Sequence, residues 1–130
     1  MRAGLIVLAL LLSGCGPRGG DLPGDTAIAG APDCGKKPGF VSIQPDAKVL
    51  VCSVSHEPRK DSGTLIYTTA TAPAALLATV KDAAVKAGLE EKISTPETFS
   101  AGQGDRRSLT VMASPKDAGS QITLMWSRER

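Results

Sequence analysis

Two stretches near the C-terminus alternate strictly between apolar and polar residues, and this pattern restricts that part of the chain to β-structure. In residues 107–113 and 120–126, the apolar positions are Leu109, Val111, Ala113, Ile122, Leu124 and Trp126. Successive side chains of a strand point to opposite faces, so each stretch has one apolar and one polar face. The residues SPKDAG between the stretches are typical of a turn. The pattern predicts an antiparallel hairpin with one buried face.

One helix is predicted in the middle of the chain. Pro73 suits the first helical position, where its missing N–H costs no hydrogen bond. Apolar residues then recur along one side of the helix, at Leu76, Val80, Ala83 and Ala87. Gly88 suits the left-handed position that ends many helices, with Leu89 folding back on the last turn. The alanines in this stripe predict close packing of the helix against a sheet.

Two further strands are predicted before the helix. Lys48–Val54 has apolar residues on both faces, which favours a strand in the interior of a sheet. Thr64–Thr71 sets Leu65 and Tyr67 against Ile66, and its threonine content is typical of a strand. The polar residues between these two stretches are predicted to connect them as a hairpin.

These elements place the chain in the α+β class. The predicted order is strand, strand, helix, a short strand at Glu97–Ala101 around Phe99, strand, strand. We expect a mostly antiparallel sheet of four to five strands with one amphipathic helix packed on one face. The rest of residues 90–105 is polar and has no clear period. The predicted core contains Leu65, Tyr67, Leu76, Val80, Leu109, Val111, Ile122, Leu124 and Trp126.

Composition limits the size of the domain and the class of its partners. The chain has 130 residues, with 15 Lys and Arg against 13 Asp and Glu, a net charge of +2. That balance has no basic footprint for nucleic acid, so none is expected as a partner. The four aromatic residues lie in different segments and form no stacking platform. The length leaves room for one small domain with modest stability.

The first fifteen residues have the features of a bacterial export signal. Met1-Arg2 gives a short positive start, and residues 3–12 are apolar without a charge. This run is shorter than the about 20 apolar residues that span a bilayer. It leads into Leu12-Ser13-Gly14-Cys15, which resembles the lipobox of bacterial lipoproteins: an apolar residue, two small residues and a cysteine.

The resemblance implies that residues 1–14 are a cleaved signal peptide. Cys15 would then be the first mature residue, with diacylglycerol on its sulfur and commonly a fatty acid such as palmitate on its amino group. Two or three acyl chains hold a protein at a membrane almost permanently. Gly16, where an Asp would signal inner-membrane retention, favours the outer membrane facing the periplasm. The outer leaflet of the inner membrane and the cell surface are alternatives.

Residues 16–33 are predicted to form a flexible tether. They contain five glycines and three prolines and show no apolar period. The chain is therefore divided into a signal peptide at 1–14, a lipidated cysteine and tether at 15–33, and a small envelope domain at 34–130.

Two more cysteines, Cys34 and Cys52, lie in the exported part. Because disulfides persist outside the cytoplasm, a Cys34–Cys52 bridge is expected. It would close a loop of about 18 residues and contribute on the order of 3 kcal/mol to stability. Free or redox-active thiols are one alternative. A metal site with His56 and Asp33 is another, but positions 52 and 56 of one strand would lie about 13 Å apart, so we expect no metal.

Candidate catalytic residues are few. His56, the one histidine of the chain, stands beside Glu57 in a predicted polar turn, where a solvated loop residue is the simpler interpretation. No Gly-x-Ser-x-Gly elbow or paired acid and base accompanies it. We therefore expect no enzymatic activity, no catalytic residues and no cofactor.

One loop contains groups that bind anions. Gly102-Gln103-Gly104 precedes Asp105-Arg106-Arg107, so glycine amides and two guanidinium groups stand close together in sequence. Phosphate loops continue into a helix, and no helix start follows here. A solvated entrance to the C-terminal hairpin is the favoured interpretation.

Two functional hypotheses follow. The first is a non-enzymatic envelope lipoprotein, held at the membrane by its lipid anchor, whose sheet surface or edge contacts another envelope component. Its exposed sheet face would offer Thr and Met side chains suited to adaptable contact. The alternative is a binder of a soluble ligand or an inhibitor of a periplasmic or foreign hydrolase.

Overall fold

The computed structural model describes residues 25–28 and 35–130. This part of the chain forms β1 (Thr26–Ala27), β2 (Lys36–Lys37), β3 (Lys48–His56), β4 (Lys60–Thr69), α1 (Pro73–Lys86), β5 (Glu90–Ser94), β6 (Thr98–Gln103), β7 (Arg107–Lys116) and β8 (Gly119–Glu129). Strands β1 and β2 form a short antiparallel ladder, and the other six form one antiparallel sheet in the order β3-β4-β8-β7-β6-β5. The fold is α+β, as predicted.

The sheet has six strands instead of the predicted four to five, because no apolar pattern predicted β5. All five residues of β5, EEKIS, are exposed at the edge of the sheet, so no apolar alternation marks the strand. The short strand expected around Phe99 is confirmed as β6, where Phe99 is buried. The chain passes from β4 to β5 through α1, which contacts β5, β6 and β7.

The helix begins and ends as predicted. Pro73 lies in its first turn, and Gly88 follows it with a φ of +91°, a conformation that glycine adopts without strain. The amide of Leu89 donates to the carbonyl of Ala84 at 3.0 Å, which closes the helix end and buries Leu89. The buried side of the helix differs slightly from the prediction, because Ala83 and Ala87 are only half-buried. Its buried residues are Leu76, Leu77, Val80 and Ala84.

The core lies on one face of the sheet, here called the covered face. The predicted core residues of β4, β7 and β8 are all buried there: Leu65, Tyr67, Leu109, Val111, Ile122, Leu124 and Trp126. Beside the helix, residues 35–47 cover the same face and bury Phe40 and Val41. The Tyr67 hydroxyl donates to Oε1 of buried Gln44 at 2.7 Å, and burial raises the pKa of Tyr67. Both the helix and this segment therefore hold the core.

Strand β3 is an edge strand, so the prediction of an interior strand is wrong. A bulge between Val49 and Val51 leaves Leu50 without a cross-strand partner in β4. The bulge puts Val49 and Cys52 on the covered face, opposite Tyr67 and Leu65, and leaves Leu50 and Val51 exposed. The run of apolar residues therefore reflects a bulged strand with one buried face.

The folded domain begins before residue 34, which corrects the predicted tether at residues 25–28. Thr26 and Ala27 pair with Lys37 and Lys36, and Ile28 is buried in the core. A single apolar residue in a glycine- and proline-rich stretch has no periodicity, so the sequence did not predict this pairing. The rest of the predicted tether and the signal peptide lie outside the described residues.

Candidate functional site

The predicted lipidation residue, Cys15, and one predicted disulfide residue, Cys34, lie outside the described residues. Cys52 lies on β3 opposite Leu65, packs against the core and is disulfide-bonded. The bonded state of Cys52 agrees with the expected bridge, and Cys34 as its partner stays a prediction. Within residues 25–28 and 35–130, no group of three His, Cys, Asp or Glu side chains is placed to hold a metal ion.

The end of the covered face is closed by one row of polar residues that crosses five strands. Cross-strand pairing joins, in order, Gln103, Arg107, Arg128, Asp61 and His56. We call these five residues the polar row. It lies beyond the last core residues of the same strands, Leu109 and Trp126. The sequence placed Gln103 and Arg107 in one loop and His56 in a separate turn. It did not bring the five residues together, because the strand order that aligns them was unknown.

Asp61 is the centre of the polar row. Its carboxylate is 7% exposed and lies 2.8 Å from Nδ1 of His56. With the proton of the imidazole assigned to Nδ1, His56 donates this hydrogen bond. The guanidinium groups of Arg128 and Arg130 lie 3.3 and 3.4 Å from the same carboxylate. The hydrogen bond from His56 and the two arginine charges lower the pKa of Asp61. A buried carboxylate with these three partners is satisfied and charged.

His56 is therefore a strand residue, and the prediction that it lies in a polar turn is wrong. His56 ends β3, and its imidazole remains 60% exposed while Nδ1 faces Asp61. Histidine oriented by a carboxylate occurs in catalytic sites, but catalysis also needs a nucleophile or a substrate position within hydrogen-bond reach. The predicted absence of enzymatic activity stays a prediction.

Arg128 connects the polar row to the first described residue. It makes two parallel hydrogen bonds of 2.6 Å to the carboxylate of Asp25, a geometry that matches the guanidinium fork. These bonds lower the pKa of Asp25. The guanidinium also lies 5.9 Å from the ring centroid of Trp126. The N-terminal segment is thus attached to the sheet at this end of the molecule.

The glycine- and arginine-containing loop is the turn between β6 and β7, at the entrance to the C-terminal hairpin, as the favoured interpretation predicted. Gly104 has a φ of +54°, and the amide of Arg106 donates to the carbonyl of Gln103. Arg107 is fixed by hydrogen bonds to Gln103 Oε1 at 2.8 Å and the carbonyl of Ala87 at 2.9 Å. Arg106 makes no side-chain hydrogen bond or ion pair with another described residue. The turn therefore presents one fixed and one unpaired guanidinium.

These side chains line a groove at the end of the sheet, here called the arginine groove. It has a volume of about 360 Å³ and is lined by Gln103, Arg106, Arg107, Arg128, Glu129 and Arg130. Backbone hydrogen bonds tie its walls together, because Glu129 donates to Arg106 and Arg130 donates to Arg59. Four guanidinium groups around one groove favour an anionic ligand.

The second face of the six-stranded sheet, here called the open face, is covered by no helix or strand in the described part of the chain. Two rows cross it. One is Ser53, Thr64, Met125, Thr110 and Ser100, and the other is Val51, Ile66, Thr123, Met112 and Thr98. Neither row contains a charge. Met112 and Met125 are 41% and 40% exposed, which confirms that this face exposes methionine side chains; its use as a contact face stays a prediction.

A second groove lies at the opposite end of the sheet. It has a volume of about 540 Å³, and its lining includes Asp46, Lys48, Leu50 and Lys116. Asp46 is already used by the fold, since it accepts from the Thr69 hydroxyl and from the amide of Ala70. The two lysines leave this end with less concentrated charge than the arginine groove.

Comparison with known proteins finds no match: no protein-family model, no curated protein and no solved structure matches this chain. In the described part of the chain, no helix is both long and apolar enough to span a membrane. The functional proposal therefore depends on the residues of the chain itself.

Proposed function

We propose that this chain is a lipid-anchored envelope protein whose small domain binds another envelope protein through the open face and catalyses no reaction. The observation that supports this most is the composition of the open face. Its two rows combine hydroxyl side chains with Val51, Ile66, Met112 and Met125. Uncharged rows of this kind lose little on desolvation, and methionines adapt to the shape of a partner.

The open face is large enough for a specific interface. Six strands spaced about 4.8 Å apart span roughly 24 Å, and their paired lengths extend about 25 to 30 Å at 3.3 Å per residue. The product is close to the about 800 Å² that each partner of a standard protein complex buries. The covered face, by contrast, is already filled by α1 and residues 35–47.

The proposed anchor rests on residues 1–15. A short positive start, an apolar run and Leu12-Ser13-Gly14-Cys15 occur in the order that export and lipidation require. Confinement to one membrane raises the effective concentration of a domain toward a partner in the same envelope. A modest interface on the open face is then sufficient for binding.

Site-specific photo-crosslinking in intact cells tests the partner. A photoreactive residue replaces Met125 on the open face, and a matched probe replaces Val85 on the exposed side of α1, where Val85 is 51% exposed. We expect one discrete membrane-associated adduct from Met125 and none from Val85. Met112→Lys should remove the adduct, because a charge would be buried in the interface.

Equal adducts from Met125 and Val85, or none from Met125, would overturn the proposed use of the open face. An adduct of Met125 with a soluble hydrolase would support the inhibitor alternative instead. Folding of the Met112→Lys protein is checked by its thermal midpoint, which should stay close to that of the parent because Met112 is exposed.

A further inference from the structure

We infer that the arginine groove binds phosphate groups of membrane lipids, so that this end of the sheet contacts the bilayer surface. The inference rests on the proposed lipid anchor and adds an orientation and a ligand class to it. The groove, its charge and the position of the N-terminal segment each support it.

The groove presents guanidinium groups that the fold holds in place. Arg107 is fixed by Gln103 and the Ala87 carbonyl, and its guanidinium lies 5.6 Å from the ring centroid of Phe40. Arg128 is fixed by Asp25 and Asp61. Arg106 is unpaired among the described residues and lines the same groove. Planar guanidinium groups bind phosphate oxygens in pairs, and groups already held lose little freedom on binding.

The charge of the molecule is concentrated at this end. The turns and strand ends around the groove contain Lys36, Arg59, Lys60, Arg106, Arg107, Arg128 and Arg130, against Asp25, Glu57, Asp61, Asp105 and Glu129. Their net charge is +2, and the anchored chain without Arg2 has 14 Lys and Arg against 13 Asp and Glu, a net charge of +1. The rest of the anchored chain therefore has a net charge of −1, and an anionic surface attracts this end first.

The N-terminal segment enters the domain at the same end. Asp25 contacts Arg128 directly, and it follows the proposed anchor Cys15 by ten positions. Ten residues reach at most about 35 Å in any conformation. Of the two grooves at the ends of the sheet, the arginine groove is the one beside Asp25, where the chain from the proposed anchor enters the described domain. This position favours lipid phosphates over a soluble anion.

The orientation also fits the proposed binding face. If the arginine groove contacts the bilayer, the strands run away from the membrane and the open face is roughly perpendicular to the membrane plane. A partner anchored in or near the same membrane can then reach Met112 and Met125 without displacing the domain.

Trp126 provides a direct measurement, since it is the one tryptophan of the chain and lies one row inside the polar row. The full acylated protein is reconstituted in phosphatidylcholine vesicles and in vesicles with 30 mol% phosphatidylglycerol, a composition chosen as a probe, with equal amounts of a headgroup nitroxide quencher. We expect stronger quenching of Trp126 in the anionic vesicles. The difference should disappear in about 1 M salt, where the Debye length is about 3 Å.

Two double variants distinguish lipid binding by the arginine groove from an effect of the overall charge of the protein. Arg106→Gln combined with Arg130→Gln removes two groove charges, and the docked fraction relative to the undocked one should fall about fivefold per charge. Lys48→Gln combined with Lys116→Gln removes the same charge at the opposite end and should leave the quenching unchanged. Intact mass and flotation on neutral vesicles report the anchor independently of charge, so loss of the anchor is distinguished from loss of docking.

Equal quenching in neutral and anionic vesicles would overturn the inference, as would equal effects of the two double variants. A titration with inorganic phosphate, followed by the backbone amide signals of Gln103–Arg107, identifies the other source of phosphate. Saturation below about 1 mM without any vesicle dependence would assign the groove to soluble phosphate. Binding at Arg106 that occurs only in the presence of other membrane proteins would assign the groove to an acidic protein surface. Each of these two results would contradict lipid docking.

Discussion

The covered face and the open face are built by alternate residues of the same strands, but one is packed in the core and the other is exposed. In β8, Leu124 is buried in the core and its neighbour Met125 is exposed. In β3, Cys52 packs against the core while Ser53 faces solvent. The covered face holds the fold together, so its residues cannot change freely. The residues of the open face are not packed in the core, so its uncharged rows are available for the proposed binding.

The largest contrast between the faces is expected at Leu124 and Met125. Leu124→Ala should lower the free energy of unfolding by about 2 to 5 kcal/mol, because it leaves a cavity in the core. Met125→Ala should change it by less than about 1 kcal/mol. Urea unfolding followed by circular dichroism measures both. Similar losses at the two positions would show that the open face also supports the fold.

The next contrast is between Cys52 and Ser53. Cys52→Ser removes the disulfide and should cost about 3 kcal/mol, the chain-entropy value for a loop of about 18 residues to Cys34. Ser53→Ala should cost less than about 0.5 kcal/mol. A reducing agent should destabilise the parent protein and leave the Cys52→Ser protein unchanged. A parent protein insensitive to reductant would contradict the bracing role of the bridge.

A smaller contrast is expected at Gly63 and Ser62. The indole of Trp126 lies over Gly63, and a Cβ added at residue 63 would stand 2.3 Å from Nε1 of Trp126. Gly63→Ala should therefore cost about 1 to 3 kcal/mol through overpacking and shift the emission of Trp126. Ser62→Ala, on the open face, serves as the control and should leave the emission unchanged. An unshifted emission for Gly63→Ala would mean that the indole packs elsewhere.

The smallest expected difference between the two faces is in the pH dependence of stability, because Asp61 closes the covered face and the two rows of the open face contain no charge. Asp61 has a lowered pKa in the folded protein, so its partners stabilise the fold above the ordinary carboxylate pKa, and this contribution is lost as the pH falls below about 4 toward the lowered value. Stability should therefore decline on acidification, and Asp61→Asn should flatten that decline. Unfolding midpoints between pH 7 and pH 3 measure it. An unchanged decline in Asp61→Asn would place the acid sensitivity elsewhere, for example at Asp25.

The sequence predicted the elements that have one buried face. Alternation identified β4, β7 and β8, and Pro73 with Gly88 identified both ends of α1. It failed where the local pattern lacks that signal. β5 is exposed throughout, and the bulge at Leu50 made an edge strand look like an interior one. Both failures have the same cause, because apolar periodicity reports burial on one face and not strand order.

The candidate sites were predicted less completely than the fold. The Thr and Met character of the open face followed from alternation. The loop with Arg106 and Arg107 was considered for anion binding, but a solvated entrance to the C-terminal hairpin was the favoured interpretation. The polar row was missed, because Asp61 meets Arg128 only when β4 pairs with β8. That pairing joins residues 67 positions apart in the chain. Long-range register of this kind is set by the packed sheet.

The intact mass of the protein extracted from membranes, with and without reductant, tests the central proposal most directly. The account predicts a chain that begins at Cys15, with added mass of diacylglycerol and a fatty acyl chain, and that gains the mass of two hydrogens on reduction. A chain that begins at Met1, or one that lacks acyl mass, would contradict the proposed membrane anchor.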